Sequence, residues 1–108
     1  MSSHVIRLRA PWQRVQIGEG QLWRRRFGQP TGLDAADRLV LVVEGLAAAA
    51  EVSLNGRLLG NAGPAAGWRQ FDVTGLLVAR NELTLRTSEV IEPRGEGGAP
   101  CGVWLRID

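Results

Sequence analysis

The sequence predicts an all-β protein, a jelly-roll β-sandwich formed as a single domain over residues 1–108, and three observations carry that reading. Apolar and polar residues alternate with period two along much of the chain, and no stretch sustains a 3.6-residue apolar stripe over a helical length. Turn-rich stretches, "FGQPTGLDAAD", "NAGPAAG" and "EPRGEGGAPCG", separate about eight short strands at near-regular spacing. Between "EVSL" and "RLLG" stands Asn55-Gly56, the strongest short-range signal of a tight hairpin, because both residues tolerate the positive φ of a type I′ turn.

Each segment supports the class in turn. In "VIRLR", Ile6 and Leu8 oppose Val5, Arg7 and Arg9; in "WQRVQI", Val15 and Ile17 share a face with Gln13, leaving Trp12, Arg14 and Gln16 on the other. "QLWRRRF" points Trp23 and Phe27 inward and sends Arg25 with them, so Arg25 requires an edge, a partner or a bulge. "RLVLVVE" places Leu39, Leu41 and Val43 on one face and Val40 and Val42 on the other, which requires cover on both sides. The hairpin register sets Leu54 opposite Arg57 and Val52 opposite Leu59, giving Val52, Leu54 and Leu59 to one face. "WRQFDV", "NELTLRT" and "VWLRI" supply the remaining strands.

Composition narrows the function classes. At 108 residues, 44% hydrophobic and 22% charged, the chain has the size and balance of a globular domain with one core. No apolar run reaches membrane-spanning length, and "MSSHVIRLR" has no apolar h-region, so the expected location is cytoplasmic and no membrane partner is expected. One Cys, Cys101, and one His, His4, exclude an internal disulfide or a Cys/His zinc site; no metal or other cofactor is expected. "GEGG" lacks the Gly-Lys-(Ser/Thr) end of a phosphate loop, and no Ser occupies a nucleophile elbow. All 13 basic residues are Arg, and the first 26 residues carry a balance of +5 against −3 for the rest. Outward strand positions account for this asymmetry, and polyanion binding, nucleic acid included, ranks last among the readings.

Read together, "VSLNGRLLGNAGPAAGWRQFDVTGLLVARNELTLRT" resembles the N-terminal sugar-binding domain of family 2 glycoside hydrolases, the β-galactosidase, β-glucuronidase and β-mannosidase group. The resemblance rests on Asn55-Gly56, Phe71-Asp72-Val73-Thr74, Leu76-Leu77 and Asn81-Glu82-Leu83, in that order. It extends upstream through "RRRFGQPTGLDAADRLVLVVEGLAAAAEV" and downstream into "GGAPCGVWLRI", covering most of Leu22 to Ile107. It implies a galactose-binding-like jelly roll in which the hairpin and "FDVTGLL" are scaffold: Asp72 and Thr74 cap a turn while Phe71 and Leu77 anchor it. The family's catalytic carboxylates lie in a separate barrel domain, so no catalytic residue carries over and no enzyme activity is expected of this chain.

Sugars stack their C–H faces on aromatic rings while planar polar groups bond their hydroxyls, so loop-located Trp and Arg are the diagnostic pair. Trp68 and Arg69, beside "NAGPAAG", and Trp12, after Pro11, are the candidate carbohydrate-binding residues, with packing on the sandwich as the other reading of Trp68. The long loop 92–102 adds Arg94 and Glu96, the latter by its position in the loop that the resemblance places near a neighbouring active site. Trp23 and Trp104, within alternating strands, are assigned to the core. Two function classes therefore stand: a non-catalytic carbohydrate-binding module, or an interaction module on the same fold that binds no sugar. The apolar second face of "LVLVV" motivates the latter, with a homo-oligomer or a partner protein seated against Val40 and Val42.

Overall fold

The structure is a computed structural model and describes residues 4–9, 11–94 and 98–108. Its strands are β1 (His4–Arg7), β2 (Gln13–Ile17), β3 (Gly20–Gly28), β4 (Leu39–Glu44), β5 (Ala50–Leu54), β6 (Arg57–Ala62), β7 (Trp68–Asp72), β8 (Arg80–Thr87) and β9 (Gly102–Ile107), with a 3-10 turn at Pro64–Ala66 before β7. All pairings are antiparallel and form two sheets, β1-β9-β4-β7 and β2-β3-β8-β5-β6. The class read from alternation is the one observed, an all-β sandwich with the core between the sheets, and it fits the galactose-binding-like jelly roll that the resemblance implies.

The core draws Leu39, Leu41 and Val43 from β4, Val52 and Leu54 from β5, Leu83 and Leu85 from β8, Val103 and Leu105 from β9, and Trp23 from β3. Each of these alternates with a residue on the outer face, as the pleat requires. At one end of β3, Gly20 lies so close to β8 that a side-chain carbon there would fall 2.0 Å from the Thr87 carbonyl oxygen. Only glycine fits that position. Beside it the buried Gln21 accepts from the Trp23 indole N–H at 3.2 Å and from the Ile91 amide at 2.9 Å, satisfying both donors in the interior.

The opposite end is held by Asn55 and Asn81. Asn55 and Gly56 have φ of 53° and 82°, the paired positive values of a two-residue hairpin turn. The turn does more than join β5 to β6. Asn55 donates its backbone N–H to the Glu82 carbonyl at 2.8 Å and accepts the Glu82 amide on Oδ1 at 2.8 Å. Its Nδ2 donates to Asn81 Oδ1 at 3.0 Å, and that oxygen also accepts the Val78 amide at 2.9 Å. Asn81 Nδ2 donates to the Val78 carbonyl at 2.8 Å and reaches the Phe27 carbonyl at 3.4 Å. A single buried amide thus joins the hairpin, β3, β8 and the turn preceding β8.

The "FDVTGLL" turn is scaffold as well. Phe71 and Leu77 are buried, the Thr74 hydroxyl accepts the Leu39 amide at 2.9 Å, and Asp72 Oδ1 accepts the Thr74 amide at 3.0 Å. Hydrogen bonds from the Thr74 side chain and backbone, with Arg38 adding its charge, hold the Asp72 carboxyl below the usual carboxylate range.

Two expectations are corrected, the pairing of Val52 with Leu59 and the placement of Trp104 in the core. In the hairpin, Leu54 does face Arg57, but Val52 pairs with Gly60: a bulge between Val52 and Ser53 leaves Leu59 as the extra residue on β6. In β2, the Val15 and Ile17 face points to solvent, at 56% and 38% exposure. Trp12 packs against the core instead, and Arg14 places its guanidinium over the Trp23 ring, 5.3 Å from the centroid. Trp104 is not a core residue; it lies on the outer face of its sheet, opposite Val42 and Arg7. Val42 is 1% exposed within the single chain, so the second apolar face of β4 is already covered by its own sheet's side chains. Arg25, by contrast, has the partners it requires, donating to the carbonyls of Arg9 (2.6 Å) and Arg26, while partial burial lowers its guanidinium pKa.

Replacing Asn81 by Leu removes the acceptor of the Val78 amide and of Asn55 Nδ2 in two part-buried bonds, each contributing about 0.5–1.5 kcal/mol. Urea denaturation of Asn81→Leu is expected to show a loss of about 1–3 kcal/mol. Asn55→Ala added to it is expected to cost less than the same change in the wild type, because both remove one shared bond.

Candidate functional site

The structure separates the residues that the sequence groups as a sugar site. Trp68 opens β7, an edge strand, pairs with Glu44, and is 54% exposed on the outer face of its sheet. Arg69, one residue on, points to the opposite face, as strand geometry requires. Its guanidinium stacks over the Phe71 ring at 5.2 Å, and Nη1 donates to the Asn61 carbonyl on β6 at 2.7 Å. Arg69 therefore ties the edge of one sheet to the edge of the other.

Trp12 is half-buried, with its indole N–H donating to the Leu8 carbonyl at 2.8 Å, which makes it a brace between the β1–β2 connection and the core. Arg94 is exposed, and its backbone N–H donates to the Ala99 carbonyl at 3.0 Å, closing the base of the long loop. Glu96 lies outside the described residues. Of the five candidates, Trp68 alone combines an exposed ring with no hydrogen-bonding duty in the scaffold among the described contacts.

Three concave regions merit chemical reading. Beyond the Asn55–Asn81 junction, Arg25, Arg26, Arg80 and Glu82 line a cleft of about 570 Å³. Its charges are largely engaged: Glu82 pairs with Arg26 at 3.2 Å and Arg24 at 3.5 Å, and Arg25 is bonded to backbone. A larger depression of about 1000 Å³ runs along His4–Ile6 and the loop from Gln29 to Asp37. The third, about 270 Å³, is lined by Arg7, Arg9, Arg94 and Cys101. Cys101 sits at its floor with 1% exposure, and desolvation pushes its thiol from 9.0 up to about 12 although the Glu44 backbone hydrogen bond and the Arg94 charge act the other way. At neutral pH it is a packed, protonated thiol and no nucleophile. Among the described residues, no group of three His, Cys, Asp or Glu side chains is placed to hold a metal ion. None of the described helices is long and apolar enough to cross a membrane.

The residue that sequence reasoning missed is Trp104. "GVWLRI" alternates, with Val103 and Leu105 on one face and Trp104 with Arg106 on the other. The alternation itself offered the signal, because a Trp sharing phase with Arg106 and not with Val103 and Leu105 belongs to the outer face.

The fold and the geometry define a galactose-binding-like β-sandwich domain. Residues 12–96 match the family described as "Glycosyl hydrolase 2 galactose-binding domain-like", and the chain belongs to that family. Among solved structures, it superposes on a Bifidobacterium dentium β-glucuronidase complexed with coumarin-3-O-glucuronide, with TM-score 0.79 and 19% identity over 98% of this chain and 30% of that one. A putative β-galactosidase from Bacteroides fragilis follows with TM-score 0.77 and 17% identity over 99% and 23%, and a Bacteroides uniformis β-glucuronidase with 0.76 and 13% over 98% and 18%. At these identities the likeness is one of fold. The chain spans less than a third of the length of any of these three enzymes. No curated protein matches it in sequence.

Because the Cys101 thiol ionises far more readily in the unfolded chain than in the folded one, it contributes stability that is complete below pH 9.0 and is lost as pH rises towards about 12. Unfolding free energy measured in urea from pH 9 to about 10.5 is expected to fall by up to about 1.4 kcal/mol per pH unit from this group, and Cys101→Ala is expected to flatten the slope. A thiol-reactive disulfide reagent at pH 8 is expected to label Cys101 only as fast as the protein opens.

Proposed function

We propose that this chain is a non-catalytic carbohydrate-binding module. The observation that carries the proposal is the family match over residues 12–96, which falls on the galactose-binding-like domain of glycoside hydrolases and not on a catalytic one. Retaining or inverting glycoside hydrolysis needs two carboxyl groups set across one cleft. In the cleft beyond Asn55 the lining supplies one carboxylate, Glu82, already paired with two arginines. That arrangement suits a scaffold and not an acid/base pair. Trp68 supplies the exposed ring that sugar recognition needs, whereas Arg69 and Trp12 act in holding the sandwich. Arg94, on the rim of the cavity above Cys101, is placed to bond a ligand's hydroxyl or carboxylate groups.

The second reading, an interaction module that docks a partner protein or a second copy, is favoured by Val15 and Ile17, neighbours on one face of the edge strand β2 that stand 56% and 38% exposed. Glycan-array binding and sedimentation separate the two readings. The carbohydrate-binding reading expects a retained glycan class, a monomer at high micromolar concentration, and no release of aryl alcohol from aryl glycosides above buffer. An array without signal together with a concentration-dependent dimer supports the interaction module instead.

A further inference from the structure

We infer that the outer face of the β1-β9-β4-β7 sheet carries a two-tryptophan platform for an extended oligosaccharide, formed by Trp104 and Trp68 with Glu44 between them. The inference rests on the carbohydrate-binding reading and gives it a site that differs from the loop pairing expected from the sequence.

The register makes the case. Gly102 pairs with Glu44 and Glu44 pairs with Trp68, so the three lie in one row across β9, β4 and β7 and project from the same face. Trp104, two residues along β9, shares that face and leans back over Gly102: a side-chain carbon at Gly102 would lie 3.2 Å from Trp104 Cζ3. That same position is 3.9 Å from Glu44 Cβ. Glycine therefore leaves room for the indole to lie along the sheet beside Glu44, and Trp68 stands on the other side. Two strand spacings, about 10 Å, separate the two ring-bearing strands. That distance exceeds what a single ring covers and suits rings two apart in one extended chain.

The polar groups around the rings favour a sugar chain over other occupants. Glu44 is exposed between the rings, and Gln70 is exposed in the adjoining row, which runs Arg7, Trp104, Val42, Gln70. The Arg7 guanidinium lies over the Trp104 ring, 5.6 Å from its centroid. A carboxylate, an amide and a guanidinium offer acceptors and donors in the planar geometry that ring hydroxyls use. The carboxylate repels a phosphate backbone, and covering it with a protein surface lacking a matched cation removes it from water at a cost. An exposed ring at Trp68, a half-buried ring at Trp104 and a few convergent polar groups are the composition of a ligand site.

The test is calorimetric titration of the full chain with cellohexaose, xylohexaose, mannohexaose, chitohexaose and maltohexaose, followed by the shorter members of whichever series binds. The expected result is binding of at least one series, with affinity rising roughly tenfold or more between the monosaccharide and the tetrasaccharide as the second ring is engaged. Trp68→Ala, Trp104→Leu and Glu44→Gln are each expected to weaken binding by about tenfold or more with the thermal unfolding midpoint little changed for Trp68→Ala and Glu44→Gln. Should Trp104→Leu fail to fold, the other two variants decide the matter. Binding that survives both Trp68→Ala and Glu44→Gln overturns the platform and leaves the carbohydrate-binding reading in place. Absence of binding by every hexaose, matched by a silent glycan array, overturns both. A dimer in sedimentation that Trp68→Ala disperses assigns the face to a second copy and also overturns the platform.

Discussion

The structure depends on one buried side-chain amide. Asn81 is 3% exposed, and its carboxamide meets the hairpin, the end of β3 and the turn before β8 at a point where regular strand pairing stops. Strand ends leave backbone donors and acceptors that a sandwich must satisfy before it can close. Asn81 satisfies them on three sides, and Asn55 extends the same arrangement by bonding both backbone groups of Glu82. The hairpin turn is therefore a tertiary clamp as much as a local reversal, which explains why the residue with a φ of 53° there is Asn and not a second Gly.

Arginine fills a second structural role that lysine could not fill equally well. Arg14 covers Trp23, Arg69 covers Phe71, and Arg7 covers Trp104, each within 5.6 Å of the ring centroid. A planar guanidinium stacks on a ring while its edge still donates to a carbonyl, as Arg69 does to Asn61. All three arginines stand on edge strands, β1, β2 and β7, where they shield the apolar layer and discourage further strand pairing. Part of the positive charge in the first 26 residues is engaged in this way, Arg14 in stacking and Arg25 in backbone contacts, while Arg7 and Arg9 share one cavity with Arg94.

The two outer faces differ in character. The face bearing Arg24, Arg26 and Glu82 is occupied with its own ion pairs, which hold little stability at the surface but leave few groups uncommitted. On the other face lie two indoles, a carboxylate and an amide around a floor of Val42 that its neighbours already cover. Above that covered floor Trp68 is exposed and Trp104 is half-buried beneath Arg7, and the proposed oligosaccharide would meet both there.

The sequence by itself determined the class, the hairpin and most of the inward residues, because strand alternation has a period of two and a buried face tolerates only apolar side chains. Trp23, Phe71, Leu83 and Leu85 are legible in that way, and so is the family, through the order of its turn motifs. Alternation states that two faces exist without stating which is inside where both carry large residues. Trp12 against Val15 was settled only when the sheets packed, since β2 stands exposed at its sheet edge while Trp12, just before it, packs on the core. The bulge that displaces Leu59 is likewise a tertiary outcome, set by how β6 bends beside β5. The placing of Trp68 and Trp104 on one face is decided there too: 36 positions apart in the chain, they lie in adjoining rows with β4 between their strands.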